Sequence, residues 1–317
     1  MTMVNVAIAG GTGAVGRTLI EVLASQTKHQ AIILTRKAPD TDEKPLAPTY
    51  QVDYTDVDAL TSFLEEQNIH TVISAFGIDG TSLATSQLNL IKAADRSPAT
   101  KRFIPSSFAM RYPEDGVKIL PPLEHYFTSL AALSSTTSLE WAVVLNGTFL
   151  EYFAPPALKS HHPPHSVIVL DMEHNAAAIP GDGNTPVTFT YTFDVARFVV
   201  AALDLDRWPE THELRIVGDE LTFNEFVRLA EEIKGVKFDV AFDDVEKLKA
   251  SQITELPGHK ASYGQFPKEQ LQWFFAIFEL WMATGLGRVE REGSLNELFP
   301  EIKPLTAREM LEKYWKP

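Results

Sequence analysis

The chain has 317 residues, 44% of them apolar and 22% charged, with no cysteine and a formal net charge of −14. At this length folding buries roughly three-quarters of the unfolded surface, which excludes a disordered or fibrous chain and a small scaffold that needs covalent staples. The missing cysteine excludes disulfides, thiolate metal sites and a thiol nucleophile, and the acidic balance without a Lys/Arg run excludes a nucleic-acid interface.

The start, Met1 to Gly16, has no basic leader and its apolar run breaks at glycines, so it does not read as a signal peptide. No run reaches the roughly 18 apolar residues of a membrane span. A cytoplasmic location without membrane contact is expected. A negative field repels an anionic cofactor, so any dinucleotide site must carry its own local cations.

Val4 to Ala9 reads as a buried strand and Arg17 to Ala24 as the helix after it. Further strands are expected at Ala31 to Thr35, Tyr50 to Tyr54, Thr71 to Phe76, Arg102 to Ile104 and Leu139 to Leu145. Helices are expected at Asp56 to Glu66 and from about Ser82 to Asp95. Strands alternating with helices of this length imply βαβ units, hence an α/β, Rossmann-type doubly wound parallel sheet. After about Phe153, Pro155-Pro156 and His161-His162-Pro163-Pro164-His165 punctuate the chain and the alternation becomes irregular. There a helix is expected at Phe193 to Leu205, strands at Glu213 to Val217 and Lys237 to Phe242, and a helix at Thr222 to Lys234. Thr222 and Glu225 are spaced for a reciprocal capping box. The expected organisation is a nucleotide-binding domain over 1–154 and a smaller α+β substrate domain over 155–317, with some chain returning to the sheet.

Gly10-Gly11-Thr12-Gly13-Ala14-Val15-Gly16 lies between the first strand and the first helix, with Gly11, Gly13 and Gly16 in G-x-G-x-x-G spacing. One glycine permits the tight turn, another lets backbone approach a pyrophosphate, and the last allows close helix–strand packing. Free amides at the helix start then face the phosphates. The alternative is a plain glycine-rich turn, but the strand before and the helix after supply the context that gives the motif meaning. About 20 residues on, an NAD site usually carries an acid for the ribose hydroxyl. Here stand Thr35-Arg36-Lys37, which suit a 2′-phosphate, so NADP(H) is the expected cofactor; Asp40 comes too late to contest it.

With these residues, Phe103-Ile104-Pro105-Ser106, Leu139-Glu140-Trp141, Asn146-Gly147-Thr148-Phe149-Leu150 and Ile179-Pro180-Gly181-Asp182-Gly183-Asn184 in view, the chain resembles the NmrA-like/isoflavone-reductase-like family. These are atypical short-chain dehydrogenase/reductases, and the likeness is greatest to the fungal branch that serves secondary metabolism. The resemblance implies that Gly10, Thr12, Gly13, Ala14 and Val15 hold the pyrophosphate, and Arg36 with Lys37 the 2′-phosphate. It implies that Ser74, Ala75 and Phe76 line the adenosine side. Phe103 to Ser107, including Pro105 and Ser106, would lie below the nicotinamide, and Asn146 to Phe149 beside it.

The chain departs from that pattern where the reductases carry a lysine, near Tyr126 to Thr128. It also lacks the Tyr-x-x-x-Lys pair of ordinary short-chain dehydrogenases, since Leu130 stands four after Tyr126, and Ser107 occupies a position that is commonly acidic. Hydride transfer needs a proton donor or a partner for the developing anion. Tyr126, His125 and Lys118 are the candidates, each with a structural alternative as a packed ring, a solvent-facing ring and a surface cation.

The histidines at 161, 162 and 165 lie among prolines without a nearby carboxylate, so no metal site is expected. The Asn146-Gly147-Thr148 sequon ends a buried strand and is discounted. Gln270 to Met282 is apolar nearly all round. It reads as core of the second domain, with a pocket wall of Trp273, Phe274, Phe278 or Trp281 and a homodimer contact as the other readings. The leading function is an NADP(H)-dependent oxidoreductase of a hydrophobic, aromatic or polyketide-like metabolite. An isomerase, dehydratase or cyclase without net redox, and a non-catalytic NADP(H)-sensing regulator, are the alternatives.

Overall fold

A computed structural model describes residues 3–26, 28–37, 46–77, 82–162 and 167–317, so Asp40 and His165 lie outside the described residues. The chain divides into two compact units. The first comprises residues 1–108, 114–145 and 196–214, and the second 109–113, 146–195 and 215–317.

The first unit is built from β1 (Asn5–Ala9), α1 (Ala14–Ala24), β2 (Gln30–Thr35), β3 (Thr49–Gln51), α2 (Val57–Glu66) and β4 (Ile69–Ser74). It continues through α3 (Leu88–Arg96), β5 (Arg102–Ile104), α4 (Leu123–Ser134), β6 (Glu140–Trp141) and β7 (Val143–Leu145). The six strands β1 to β6 form one sheet in the order β3-β2-β1-β4-β5-β6. Every pairing in it is parallel. This is the doubly wound order expected from the alternation, and it reverses direction between β1 and β4.

The strands read as continuous apolar runs because helices cover the sheet. Ala7, Ala9, Ile32, Leu34, Val72 and Phe103 pack with Leu60 and Leu64 of α2, Leu90 and Ile91 of α3, and Leu133 of α4. Asp56 caps α2 by accepting the Ala59 N–H at 2.9 Å. The expected strand Leu139 to Leu145 divides instead into β6, which ends the large sheet, and β7, which pairs with β12 (Glu213–Arg215). A period-two pattern cannot show that a run of strand changes partners after Ala142. At the opposite strand ends, Arg102 is buried with Nε on Glu140 Oε2 at 2.6 Å and its other nitrogens on the carbonyls of Leu203, Leu205 and Asp206. That guanidinium fixes the 196–214 segment within the first unit.

The second unit is mixed α+β. Its strands are β8 (Thr148–Phe149), β9 (Leu170–Asp171), β10 (Ala176–Pro180), β11 (Pro186–Thr190), β13 (Asp219–Thr222) and β14 (Asp239–Asp243). They form two three-stranded sheets, β14-β10-β9 and β13-β11-β8, each with one parallel and one antiparallel pairing. The helices are α5 (Thr192–Ala202), whose C-terminal part belongs to the first unit, α6 (Phe223–Lys234), α7 (Val245–Lys249), α8 (Lys268–Ala283), α9 (Leu295–Leu298) and α10 (Ala307–Tyr314). The Thr222–Glu225 box closes the start of α6 as its spacing predicts, and Thr306–Glu309 repeats it on α10. Among the described residues no helix is long and apolar enough to cross a membrane.

The second unit buries charge as well as carbon. Asp243 is fully buried and accepts from Lys247 Nζ, Thr254 Oγ1 and Thr254 N–H, each at 2.6 Å. Glu279 of α8 is buried too, and desolvation first, then the Asp243 charge, push its carboxyl well above the ordinary carboxylate range, against the pull of Lys247. Glu279 therefore holds its proton in the folded state. Such a group contributes its full stabilisation below its unfolded pKa, near 4.5, and loses it as pH rises. Glu279→Gln is expected to raise the melting temperature by about 2 °C at neutral pH, the shift of roughly 1 kcal/mol in a chain of this size. The gain should vanish near the unfolded carboxylate pKa, and scanning calorimetry across that range measures it.

Candidate functional site

Parallel sheets bind ligands outside the carboxyl ends of their strands, in the crevice where strand order reverses. Here that crevice opens between the exits of β1 and β4. Ala75 N–H donates to Ala9 O at 2.8 Å, so the two exits run side by side. Gly10 sits there with φ +80°, and a Cβ on it would lie 2.6 Å from Ala75 O. A Cβ on Gly11 would meet Ile33 Cγ2 at 2.8 Å and Ile20 Cδ1 at 2.9 Å, where α1 packs on the sheet. One on Gly16 would strike the carbonyl of Gly10. These three glycines serve the fold.

Gly13 is different. It caps α1 with φ −80° and ψ 170°, backbone that any residue adopts. A Cβ there would make only an ordinary 3.4 Å contact with Gly10 O. Among the described residues nothing requires a glycine at this position. The amides of Ala14, Val15 and Gly16 follow it, ahead of the first helical bond, from Arg17 N–H to Gly13 O at 2.8 Å. Neither a capping side chain nor an acid in the first turn competes for them. Thr12 and Gly13 are exposed beside these amides. The loop thus offers donors and positive dipole to an anion that can approach backbone closely.

Beyond β2, Thr35 Oγ1 accepts the Lys37 N–H at 3.2 Å and Gln51 Nε2 donates to Arg36 O at 3.2 Å, so the turn is held from both sides. The side chains of Arg36 and Lys37 are exposed, and neither is ion-paired among the described residues. Arg36 borders a cavity of about 750 Å³ with Gln51, Asp53, Tyr54, Thr85 and Ser86. Asp53 escaped the sequence reading. Hydrogen bonds from Thr55 Oγ1 (2.7 Å) and N–H (2.8 Å) hold its carboxyl below the ordinary range, so a carboxylate shares this cavity with Arg36.

Ser74 ends β4 fully buried, and its Oγ has no partner among the described residues. Ala75 and Phe76 are partly exposed, and Phe76 O accepts from Ser106 Oγ at 2.5 Å. Pro105 and Ser106 are buried. Ser107, where the family commonly has an acid, instead staples β5 to β7: its Oγ accepts from Val144 N–H at 3.0 Å and donates to Val144 O at 3.2 Å.

The proton-donor candidates fall on one stretch of the first unit. Tyr126 is buried in α4 with its ring edge-on to Phe127 at 5.2 Å. His125 is half-buried one residue before it, and Lys118 is exposed at the end of the 3₁₀ turn Glu114–Lys118. Helix α4 contains no lysine. Asn146 belongs to the second unit, where it is fully buried, accepts Thr190 Oγ1 on its carbonyl at 2.8 Å, and leaves Oδ1 unpartnered among the described residues. Sequence reasoning also missed Glu151 there. Burial pushes its carboxyl up to about 7, against bonds from the Thr192 N–H at 3.1 and 3.2 Å. Nothing in a Leu-Glu-Tyr-Phe run marks that glutamate as buried.

Helix α8, within the second unit, divides the readings made of it. Leu271, Phe275, Ile277, Trp281 and Met282 are buried core, while Trp273, Phe274 and Phe278 stay partly exposed. The rings continue as a ladder, Phe274–Phe278 at 4.9 Å, Phe278–Trp281 at 5.3 Å and Trp281–Tyr112 at 5.8 Å.

The profile of the NmrA-like family matches residues 2–279. The chain belongs to the NmrA-like family. Among curated relatives, this NmrA-like chain is 35% identical to "Oxidoreductase BOA1" of Botryotinia fuckeliana, over 96% of its own length and 98% of the relative. It is 30% identical to "Oxidoreductase swnN" of Metarhizium robertsii, over 99% and 98%. Of solved structures, the leucoanthocyanidin reductase–NADPH complex of Vitis vinifera shares the fold with TM-score 0.70 at 19% identity, covering 98% of each chain.

The two kinds of glycine separate experimentally. Gly16→Ala is expected to destabilise the fold by about 1–3 kcal/mol, as overpacking does, seen as a lower denaturation midpoint. Gly13→Ala should fold at the wild-type midpoint yet bind a dinucleotide about tenfold more weakly by calorimetry.

Proposed function

We propose that this NmrA-like chain is an NADP(H)-dependent oxidoreductase acting on a hydrophobic secondary metabolite, aromatic or polyketide-like. The observation that carries this reading is Gly13, a glycine that no contact among the described residues requires, at the head of a helix whose first amides have no capping side chain. The curated relatives' names as oxidoreductases, and the NADPH held by the leucoanthocyanidin reductase of the same fold, support it.

In this reading the residues from Gly10 to Gly16 receive the pyrophosphate, with the Thr12 hydroxyl beside the Ala14 and Val15 amides. Arg36 and Lys37 pair with the 2′-phosphate, and Thr35 holds the turn that presents them. Ser74, Ala75 and Phe76 line the crevice on its β4 side, and Pro105 and Ser106 on its β5 side. The bound dinucleotide supplies or accepts the hydride. The chain must exclude water, orient the substrate carbon and deliver a proton to the atom that gains charge. Tyr126, His125 and Lys118 are the candidates for that last task. The partly exposed rings of Trp273, Phe274 and Phe278 suit flat, apolar substrates.

One observation favours a second reading. With no lysine on α4 and Tyr126 buried, the chain lacks the usual proton donor, which suits a redox-neutral isomerisation, dehydration or cyclisation. Incubation with NADPH and a panel of phenolic and polyketide ketones separates the two. Loss of NADPH absorbance in step with reduced product is expected, and product without NADPH loss would select the redox-neutral reading. For the cofactor, Arg36→Ala with Lys37→Ala should weaken NADPH about 30- to 100-fold, the worth of two charge-assisted hydrogen bonds to a phosphate. NADH binding should change less than about threefold, and equal losses would displace the 2′-phosphate from these cations.

A further inference from the structure

The Rossmann sheet holds a dinucleotide as two mononucleotide halves, one on each side of the switch point. In this chain β1-β2-β3 faces one half and β4-β5-β6 the other. The shelf for the second half is the chain leaving β5, Pro105 to Ser107. Ser107 ties it to β7 through Val144, and Ser106 Oγ ties it to the β4 exit through Phe76 O. A third bond reaches into the helical layer, where the Ser106 N–H donates to Gln87 Oε1 at 2.8 Å.

Gln87 is fully buried, at the end of the π-helical turn Ser82–Gln87 and the start of α3. Wide turns of this kind recur at functional sites. Its amide has one orientation, because Oε1 must meet the Ser106 N–H. That leaves Nε2 buried, with no partner among the described residues. An unpaired buried amide costs at least as much as a single neutral hydrogen bond returns. An apolar side chain of the same length would leave the buried Ser106 N–H without that acceptor. The bond to Ser106 is what the glutamine adds.

We infer that Gln87 is a positioning residue for the nicotinamide half of the dinucleotide. By holding the Ser106 N–H it sets the height of the β5 shelf, and so the depth of the nicotinamide, without touching the ligand itself. The inference rests on the NADP(H) reading above, and the two fail differently.

The test compares whole cofactor with its adenosine half by calorimetry on the full chain. Gln87→Met keeps the length and removes the acceptor. It should weaken NADPH about tenfold and leave adenosine 2′,5′-bisphosphate unchanged. Gln87→Glu keeps an oxygen facing the Ser106 N–H and should return NADPH affinity to within about threefold of wild type. A merely structural role would move both ligands together, so parallel losses, or no loss of either, overturn the inference. Should Gln87→Met not fold, Gln87→Asn, whose shorter side chain withdraws the acceptor, takes its place: selective loss of NADPH upholds the inference, and retention or parallel loss of both ligands overturns it. Wild-type protein that binds neither ligand removes the cofactor assignment, and this inference with it.

Discussion

A constraint that the switch point of the first unit depends on is the contact between Gly10 and the exit of β4. One hydrogen bond, Ala75 N–H to Ala9 O, sets the two strand exits side by side, and the missing Cβ of Gly10 lets them stay there. Everything at the crevice is placed relative to that contact. Gly11 lets Ile20 of α1 meet Ile33 of β2, and Gly16 lets the first turn of α1 close over the loop. The helix start is therefore pinned at the switch point, with its amides pointing where parallel sheets bind anions. A side chain at any of these three positions would have to move backbone or core.

Charge follows the same economy. The chain carries a net −14, yet Arg36 and Lys37 stand together at the end of β2 without carboxylate partners among the described residues. Buried ionisable groups are instead satisfied locally. Asp243 takes three donors, and Arg102 closes on Glu140 and three carbonyls. Glu151 and Glu279 sit where burial outweighs their partners and favours the neutral acid. An ionised carboxylate kept dry needs several good donors, and where donors are few burial raises its pKa.

Much of this was legible in the amino-acid order. The glycine loop, the apolar runs of β1, β2, β4 and β5, and the Thr222–Glu225 cap are local patterns whose physics acts within a few residues. Leu139 to Leu145 was legible only as extended chain, since periodicity does not say which strand a residue pairs with. Gln87 and Glu151 were not legible at all. A glutamine or glutamate beside apolar neighbours is usually on a solvent face, and only packing from distant segments buries it.

The sequence by itself determined the doubly wound parallel sheet, the glycine loop between strand and helix and the basic turn, because strand, turn and helix-start chemistry are short-range. Tertiary structure alone decided which of the four glycines is free of the fold, which polar groups lose their water, and that Ser106 is held by a glutamine 19 residues earlier. Those outcomes depend on surfaces brought together from separate parts of the chain, and desolvation by a remote segment leaves no mark on local residue order.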